Sequence, residues 1–247
     1  MSRENSVAPF CLPRTARRWF QDSVRYRGLF RTLSTLVVRL WEFLRDSTPA
    51  RRRSRFGDLQ FDFDHHVNTT WSNIGLRTRI REFFSGEPYQ PIESDQFHEM
   101  LSAIPIDYAN FTFIDLGSGK GRALLLASDY PFRRIIGVEI IPELHFIAEE
   151  NARKYNSPSQ KCFHIETVCQ DARHFEFPIE PTFLYLFNPF FEPVLREVLA
   201  NLEESLRQHP RPFVLLYANP ISEHVIASAP FFTKFAGPHQ YSFFRPA

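Results

Sequence analysis

Cysteine is scarce: the 247 residues contain three, Cys11, Cys162 and Cys169. An odd number without metal-ligand spacing leaves nothing from which to build a disulfide framework or a zinc module. A reducing, cytoplasmic setting without a metal is therefore expected. Long apolar runs are also missing. In residues 1–50 Arg31, Arg39 and Glu42 interrupt every hydrophobic stretch before it reaches the roughly 18 residues of a membrane span, and no cleavage pattern follows. Negative charge is rare at the same end. Residues 1–55 carry 13 Arg against 4 acidic residues, a balance of +9, whereas the remaining 16 basic and 24 acidic residues leave −8. Either the two parts attract each other, or the arm serves an anionic partner such as a membrane surface or nucleic acid. An Arg-rich, acid-poor leader is also the composition of an organelle-targeting peptide. No internal repeat is visible.

What the chain has in quantity is phenylalanine, 27 of them, within a hydrophobic fraction of 43%. That is enough to bury the core of one α/β domain of about residues 56–247, preceded by a basic extension over residues 1–55. The chain is organised around Phe111–Arg122, FTFIDLGSGKGR. An apolar strand there breaks into three alternating glycines and feeds a helix over Ala123–Ser128, the first half of a βαβ unit. The ligand of such a unit lies beyond the carboxyl end of the strand. A dinucleotide fingerprint needs G-x-G-x-x-G, and here the third glycine comes one residue early. A P-loop would need glycine at Ile114 and Ser or Thr at Gly121.

The rest of the chain alternates. Residues 1–13 look disordered, and apolar residues at Phe30, Leu33, Val37, Leu40 and Leu44, with Leu29, Leu36 and Trp41 beside them, predict an amphipathic helix over Thr15–Asp46, broken near Gly28. Its stripe must cover something: most simply the domain, otherwise another copy or a lipid interface. Thr48–Arg55 reads as a linker. Asp62, Asp64, His65 and His66 are expected to be polar cover at a pocket mouth rather than a metal site, since adjacent histidines on an extended chain diverge. Strands are predicted at 134–140, 163–170, 182–187 and 213–218, helices at 142–155, 194–208 and 223–229, and a closing antiparallel pair at 231–235 and 241–245. This pattern predicts a doubly wound, mostly parallel sheet with helices on both faces.

Glu139 ends the second strand, 22 residues after Gly117, where nucleotide-binding βαβ units place the acceptor of ribose hydroxyls. A surface glutamate is the competing reading. Asp171 follows the third strand in CQDAR, and Asn188 closes the fourth in NPFF; a plain turn is the alternative for each.

The spacing D-L-G-x-G-x-G resembles the first motif of class I S-adenosylmethionine-dependent methyltransferases. The resemblance implies a seven-stranded Rossmann-like sheet and S-adenosylmethionine as cofactor. On it, Asp115, Gly117, Ser118, Gly119 and Gly121 form the loop, Glu139 holds the ribose, Asp171 with the backbone of Ala172 holds the adenine, and Ile140 and Asn188 also border the cofactor. NPFF resembles the [DNS]-P-P-[YFW] motif of amino-methyltransferases, departing from it where Phe190 replaces Pro. Phe111–Pro189, with Tyr89 and Pro91 upstream and Asn188-x-Phe190 at its end, also resembles the DOT1-like lysine methyltransferases. That implies an acceptor site of Asn188, Phe190 and Tyr89, with Phe191 beside them, taking an amine of a protein or small molecule. A nicotinamide-dependent oxidoreductase and a non-catalytic cofactor-binding or membrane-recruited adaptor are the rivals.

Overall fold

Thr112–Leu116 (β1), buried along its whole length, occupies the middle of a seven-stranded sheet. The structure is a computed structural model describing residues 12–46, 59–70, 74–85 and 89–247. Beside β1 run Arg134–Glu139 (β2), Ile165–Cys169 (β3), Thr182–Phe187 (β4) and Phe213–Ala218 (β5), then Phe232–Ala236 (β6) and Tyr241–Pro246 (β7). Their spatial order is β3-β2-β1-β4-β5-β7-β6. The first five are parallel, and β7 is inserted antiparallel between β5 and β6. The order reverses between β1 and β4, which opens a crevice at the carboxyl edge of the sheet.

Alternation along the strands feeds two apolar layers. Phe113, Phe183 and Tyr185 point to one face, against Phe97 and Met100 of Ser94–Ser102 (here α5) and Leu124–Leu126 of Arg122–Ala127 (α6). Ile114, Leu184 and Leu215 point to the other, against Leu195, Val198 and Leu202 of Glu192–Gln208 (α8) and Val225 and Ile226 of Glu223–Ala227 (α9). Each such side chain stabilises the fold by about 1.5–3 kcal/mol on leaving water. The phenylalanine surplus goes largely here: Phe113 stacks on Phe183 at 5.8 Å and meets Phe97 edge-on at 6.1 Å. Pro142–Lys154 (α7) opens on its proline and connects β2 to β3.

The described residues of the extension form two helices, Leu12–Arg27 (α1) and Leu29–Asp46 (α2), which break at Gly28 (φ 79°). Residues 12 and 13 are helical rather than disordered, because proline is tolerated in a first helical turn. Residues 1–11 and the linker expected at 48–55 lie outside the described residues. The stripe does not pack on the domain. Leu29, Phe30, Leu33, Val37, Leu40, Trp41 and Leu44 are all exposed, and only Leu36 of the set is half-buried. The polar side of the hairpin packs instead, because it meets partners there. Arg18 pairs with Glu197 at 3.1 Å and Arg27 with Glu192 at 3.9 Å, while Arg39 Nη1 donates to the Phe83 carbonyl at 3.0 Å.

The segment expected to be extended polar cover is a helix, Leu59–His65 (α3), held by the buried Phe61. The Asp62 carboxylate accepts from the Thr69 and Thr70 backbone at 2.8 and 2.9 Å, and the His65 ring lies 4.6 Å from that of Phe61. Leu76–Ser85 (α4) follows. Among the described residues no helix is long and apolar enough to cross a membrane.

Candidate functional site

β1 delivers the chain into a turn where Gly117, Gly119 and Gly121 all take left-handed φ, at 84°, 54° and 84°. Backbone N–H groups of Gly117 and Ser118 both donate to the Val138 carbonyl, at 2.8 and 3.0 Å, which folds the turn over the end of β2. A Cβ on Gly117 would fall 2.4 Å from Pro189 Cβ, and one on Gly119 would fall 2.3 Å from the Tyr89 ring. The glycines thus admit neighbouring protein as closely as any ligand. Through Gly117 the turn touches NPFF, and Tyr89 covers it at Gly119. Gly121 stands apart from the cavity: it caps α6, with Ala148 Cβ 3.1 Å from where its own Cβ would be.

Among the carboxylates that line this cavity, three stand out: Asp115, Glu139 and Glu82 of α4. All three are buried. Glu139 accepts from the Gly119 N–H at 2.9 Å and the Ile141 N–H at 2.8 Å, so it braces the turn against the start of α7. Burial pushes its carboxyl up to about 7 despite these bonds. Burial does the same to Glu82, helped by the charge of Glu139 and opposed by a bond from the Tyr89 N–H, and it too reaches about 7. Asp115, beside Tyr185 across the strand pair, is raised well above its usual range by burial and by Glu139.

Of the two cations of the turn, Lys120 lies outside the cavity lining and Arg122 borders it. Lys120 Nζ donates to the Thr70 carbonyl at 2.7 Å and to Asn68 Oδ1 at 2.9 Å. Arg122 donates to Thr69 Oγ1 at 2.8 Å and lies 4.3 Å over the Phe61 ring. Both serve to hold the segment after α3.

Asp171, Ala172 and Ile140 form a further wall. Burial alone would raise the Asp171 carboxyl, but its pairing with Arg173 outweighs this and leaves it lowered. Arg173 Nε donates to both carboxylate oxygens at 2.9 and 3.0 Å, and Nη2 donates at 2.5 Å. Its own backbone N–H adds a fourth bond at 3.0 Å. A carboxylate offers about four acceptor positions, so Asp171 has little capacity left and acts chiefly to shape this wall.

At the far side β4 ends in Asn188 (φ 43°), which is 6% exposed. β5 ends likewise in Asn219–Pro220, with Asn219 at φ 48°. The Tyr217 hydroxyl accepts from the Ser222 N–H at 3.3 Å and donates to Asn188 Oδ1 at 2.8 Å. This relay fixes the amide orientation by occupying one Oδ1 lone pair, and it uses neither of the two Nδ2 hydrogens. Phe190 packs on the apolar layer of α8. Phe191 lies between Trp19, edge-on at 6.5 Å, and Arg39, whose guanidinium is 4.0 Å from the ring centroid. The N-terminal hairpin therefore roofs this side. Within β4, the Tyr185 hydroxyl is buried without a hydrogen-bond partner.

Asp115, Gly117, Ser118, Gly119, Glu139, Ile140, Asp171, Ala172, Asn188, Phe190 and Tyr89 all line one cavity of about 1520 Å³. Sequence reasoning missed Glu82, Tyr185, Tyr217, Trp19 and Arg39. A hydroxyl in the buried run TFLYLF was the one available hint, for Tyr185; the others carry no spacing signal. Among the described residues no group of three His, Cys, Asp or Glu side chains is placed to hold a metal ion.

No protein-family model and no curated protein matches the sequence. Solved structures with some similarity include a predicted N6-adenine-specific DNA methylase from Listeria monocytogenes (13% identity, 62% of this chain and 50% of that one, TM-score 0.47). An RNA methyltransferase from Salinibacter ruber in complex with S-adenosyl-L-homocysteine matches at 19% identity over 61% of this chain and 86% of that one, TM-score 0.41. TrmN from Thermus thermophilus matches at 15% identity over 62% and 48%, TM-score 0.43. The chain spans about half the length of the Listeria and Thermus proteins.

Proposed function

We propose that this chain is an S-adenosylmethionine-dependent methyltransferase that holds its cofactor at the glycine turn and methylates an amino nitrogen held beside Asn188. The observation carrying this reading is the sign of the charge around the turn. Asp115, Glu139 and Glu82 are the buried carboxylates at the turn, while Lys120 is turned to the Asn68–Thr70 segment and Arg122, though it borders the cavity, donates to Thr69 and Ser94; the other arginines of the lining, Arg14, Arg18, Arg27, Arg39 and Arg173, lie on the helical roof and at the Asp171 wall. A dinucleotide would bring a diphosphate into that setting. One like-charge pair about 6 Å apart costs about 3 kcal/mol at an effective dielectric of about 20. A sulfonium is attracted by the same three groups, and a bound cation draws their carboxyls back toward ionisation.

When bound, adenosylmethionine supplies a methyl group on a sulfonium leaving group. The chain's residues supply position and dryness. Gly117 and Gly119 keep the turn free of Cβ atoms, Glu139 would offer its remaining lone pairs to ribose hydroxyls, and the Ala172 backbone would meet the adenine. Asn188, oriented through Tyr217, holds the acceptor with its amide and its remaining Oδ1 lone pair. Phe190, Phe191 and Trp19 exclude water, which lowers the pKa of an ammonium and delivers the neutral amine whose lone pair attacks. The acceptor class rests on the likeness of Asn188-x-Phe190 to DOT1-like lysine methyltransferases, and a protein lysine or a small amine suits it equally.

Calorimetric titration with adenosylmethionine, adenosylhomocysteine and NAD tests the cofactor, and counting labelled methyl in the protein, nucleic-acid and small-molecule fractions of a cell extract tests the transfer. Absence of adenosylhomocysteine binding, or preference for NAD, refutes the reading. Binding without transfer to any fraction points to a cofactor-binding module instead.

A further inference from the structure

The hairpin of α1 and α2 is built inside out. At about 100° per residue, Leu29, Leu40, Leu33, Leu44, Val37, Phe30 and Trp41 fall on one arc of about 120° of α2. Their exposure runs from 46% at Leu33 to 86% at Phe30. The opposite arc carries Thr32, Thr35 and Arg39 and faces the body. A globular helix normally turns its apolar stripe toward the core.

We propose that the outward face of α2 is a docking surface for an anionic lipid bilayer. The charge around the stripe identifies the occupant. Arg45 lies over the Trp41 ring at 4.8 Å, and Arg31 follows on the same margin, exposed, as is Arg25 near the end of α1. Residues 12–46 hold 8 Arg and 3 acidic residues, with no Lys. A stripe of leucine and aromatic side chains edged by arginine, with an indole at its margin, matches a helix lying in the plane of the headgroups. Arginine stems can bury along the acyl boundary while their heads reach phosphate. A second copy fits worse. In a two-fold contact stripe to stripe, Arg31 and Arg45 of one protomer would meet the same residues of its partner. The stripe lies on the side of α2 opposite Thr35 and Arg39, which line the cavity, so docking would set the roofing hairpin between the cavity and the membrane. The proposal does not depend on the methyl-transfer reading.

Vesicle flotation of the full chain tests it. The chain is expected to float with phosphatidylcholine–phosphatidylserine vesicles, less with phosphatidylcholine alone, and progressively less as salt rises. Leu33→Asp combined with Val37→Asp, both at exposed positions, should weaken flotation at least about tenfold while leaving the melting temperature unchanged. Arg25→Gln with Arg31→Gln should weaken binding to the anionic vesicles and leave the weak binding to neutral ones. Sizing chromatography runs in parallel. A wild-type chain that does not float, or that binds both vesicle types equally at all salt concentrations, overturns the proposal. A wild-type dimer that the Asp pair converts to monomer, with no vesicle binding, overturns it in favour of a second copy.

Discussion

Replacing Glu139 by Gln tests both the electrostatics of the turn and the role of this carboxylate. Its two oxygens accept from Gly119 and Ile141, so the amide introduced by Glu139→Gln would set an NH₂ against one of those N–H groups. The folded carboxyl titrates near 7 rather than at its ordinary 4.5, because burial disfavours the charge. Between those values the folded chain binds more protons than the unfolded one, so stability falls as pH rises from 4.5 through 7 and levels off above. A rise from 4.5 to about 7 corresponds to about 3 kcal/mol across that window. The amide does not titrate. Urea unfolding of the ligand-free protein at pH 5 and pH 8 should therefore show wild type losing about 3 kcal/mol more than the variant over that interval. Groups remote from Glu139 cancel in the difference, whereas Glu82 and Asp115, which its charge raises, are raised less in the variant and widen it. For adenosylmethionine the order reverses: wild type should bind more tightly above pH 7, where Glu139 ionises, and the variant should lose about 1.5–3 kcal/mol of affinity, the scale of a hydrogen bond to a charged group. Equal cofactor affinity together with parallel pH profiles would refute both the burial argument and the ligand role.

Asn188→Ala is expected to slow methyl transfer at least about tenfold, about 1.4 kcal/mol in the barrier, with cofactor affinity nearly unchanged by calorimetry. Asn188→Gly, which suits the positive φ, should be equally slow but more stable on thermal melting; if it is fast, the side chain is only a turn residue. Tyr217→Phe, which frees the Asn188 amide, should lower the rate in the same assay and cost about 1 kcal/mol of stability in urea. Gly117→Ala places a Cβ 2.4 Å from Pro189 and should both destabilise the fold by about 1–3 kcal/mol and weaken cofactor binding, measured by melting and titration. Lys120→Met leaves the Thr70 carbonyl and Asn68 without their donor, so it should cost about 1–3 kcal/mol in urea yet spare adenosylhomocysteine affinity. A large loss of affinity there would mean that Lys120 faces the ligand.

Nearly the whole sheet could be read from the sequence, because strand and helix periods are local. β4 and β5 begin and end where their apolar runs do, at Thr182–Phe187 and Phe213–Ala218. The break at Gly28 and the glycine turn were equally visible, since a left-handed φ leaves its mark in a single residue type. So were Glu139 and Asn188, at the ends of strands on the crevice edge. The insertion of β7 between β5 and β6 was not, because a β6–β7 hairpin can join a sheet by either strand.

The sequence by itself determined which segments are strands and helices, where the turn falls, and that α2 has an apolar stripe. Tertiary structure decided which way that stripe faces, since ion pairs from Arg18 and Arg27 to α8 anchor the polar side. It also decided what each polar group has left to offer. Lys120 is spent on residues 50 and 52 positions away, and Asn188 Oδ1 receives a hydroxyl from a tyrosine 29 positions on. Periodicity and turn chemistry depend on neighbours along the chain, whereas hydrogen-bond capacity and the sign of charge in a cavity depend on groups that only the fold brings within about 3 Å of each other.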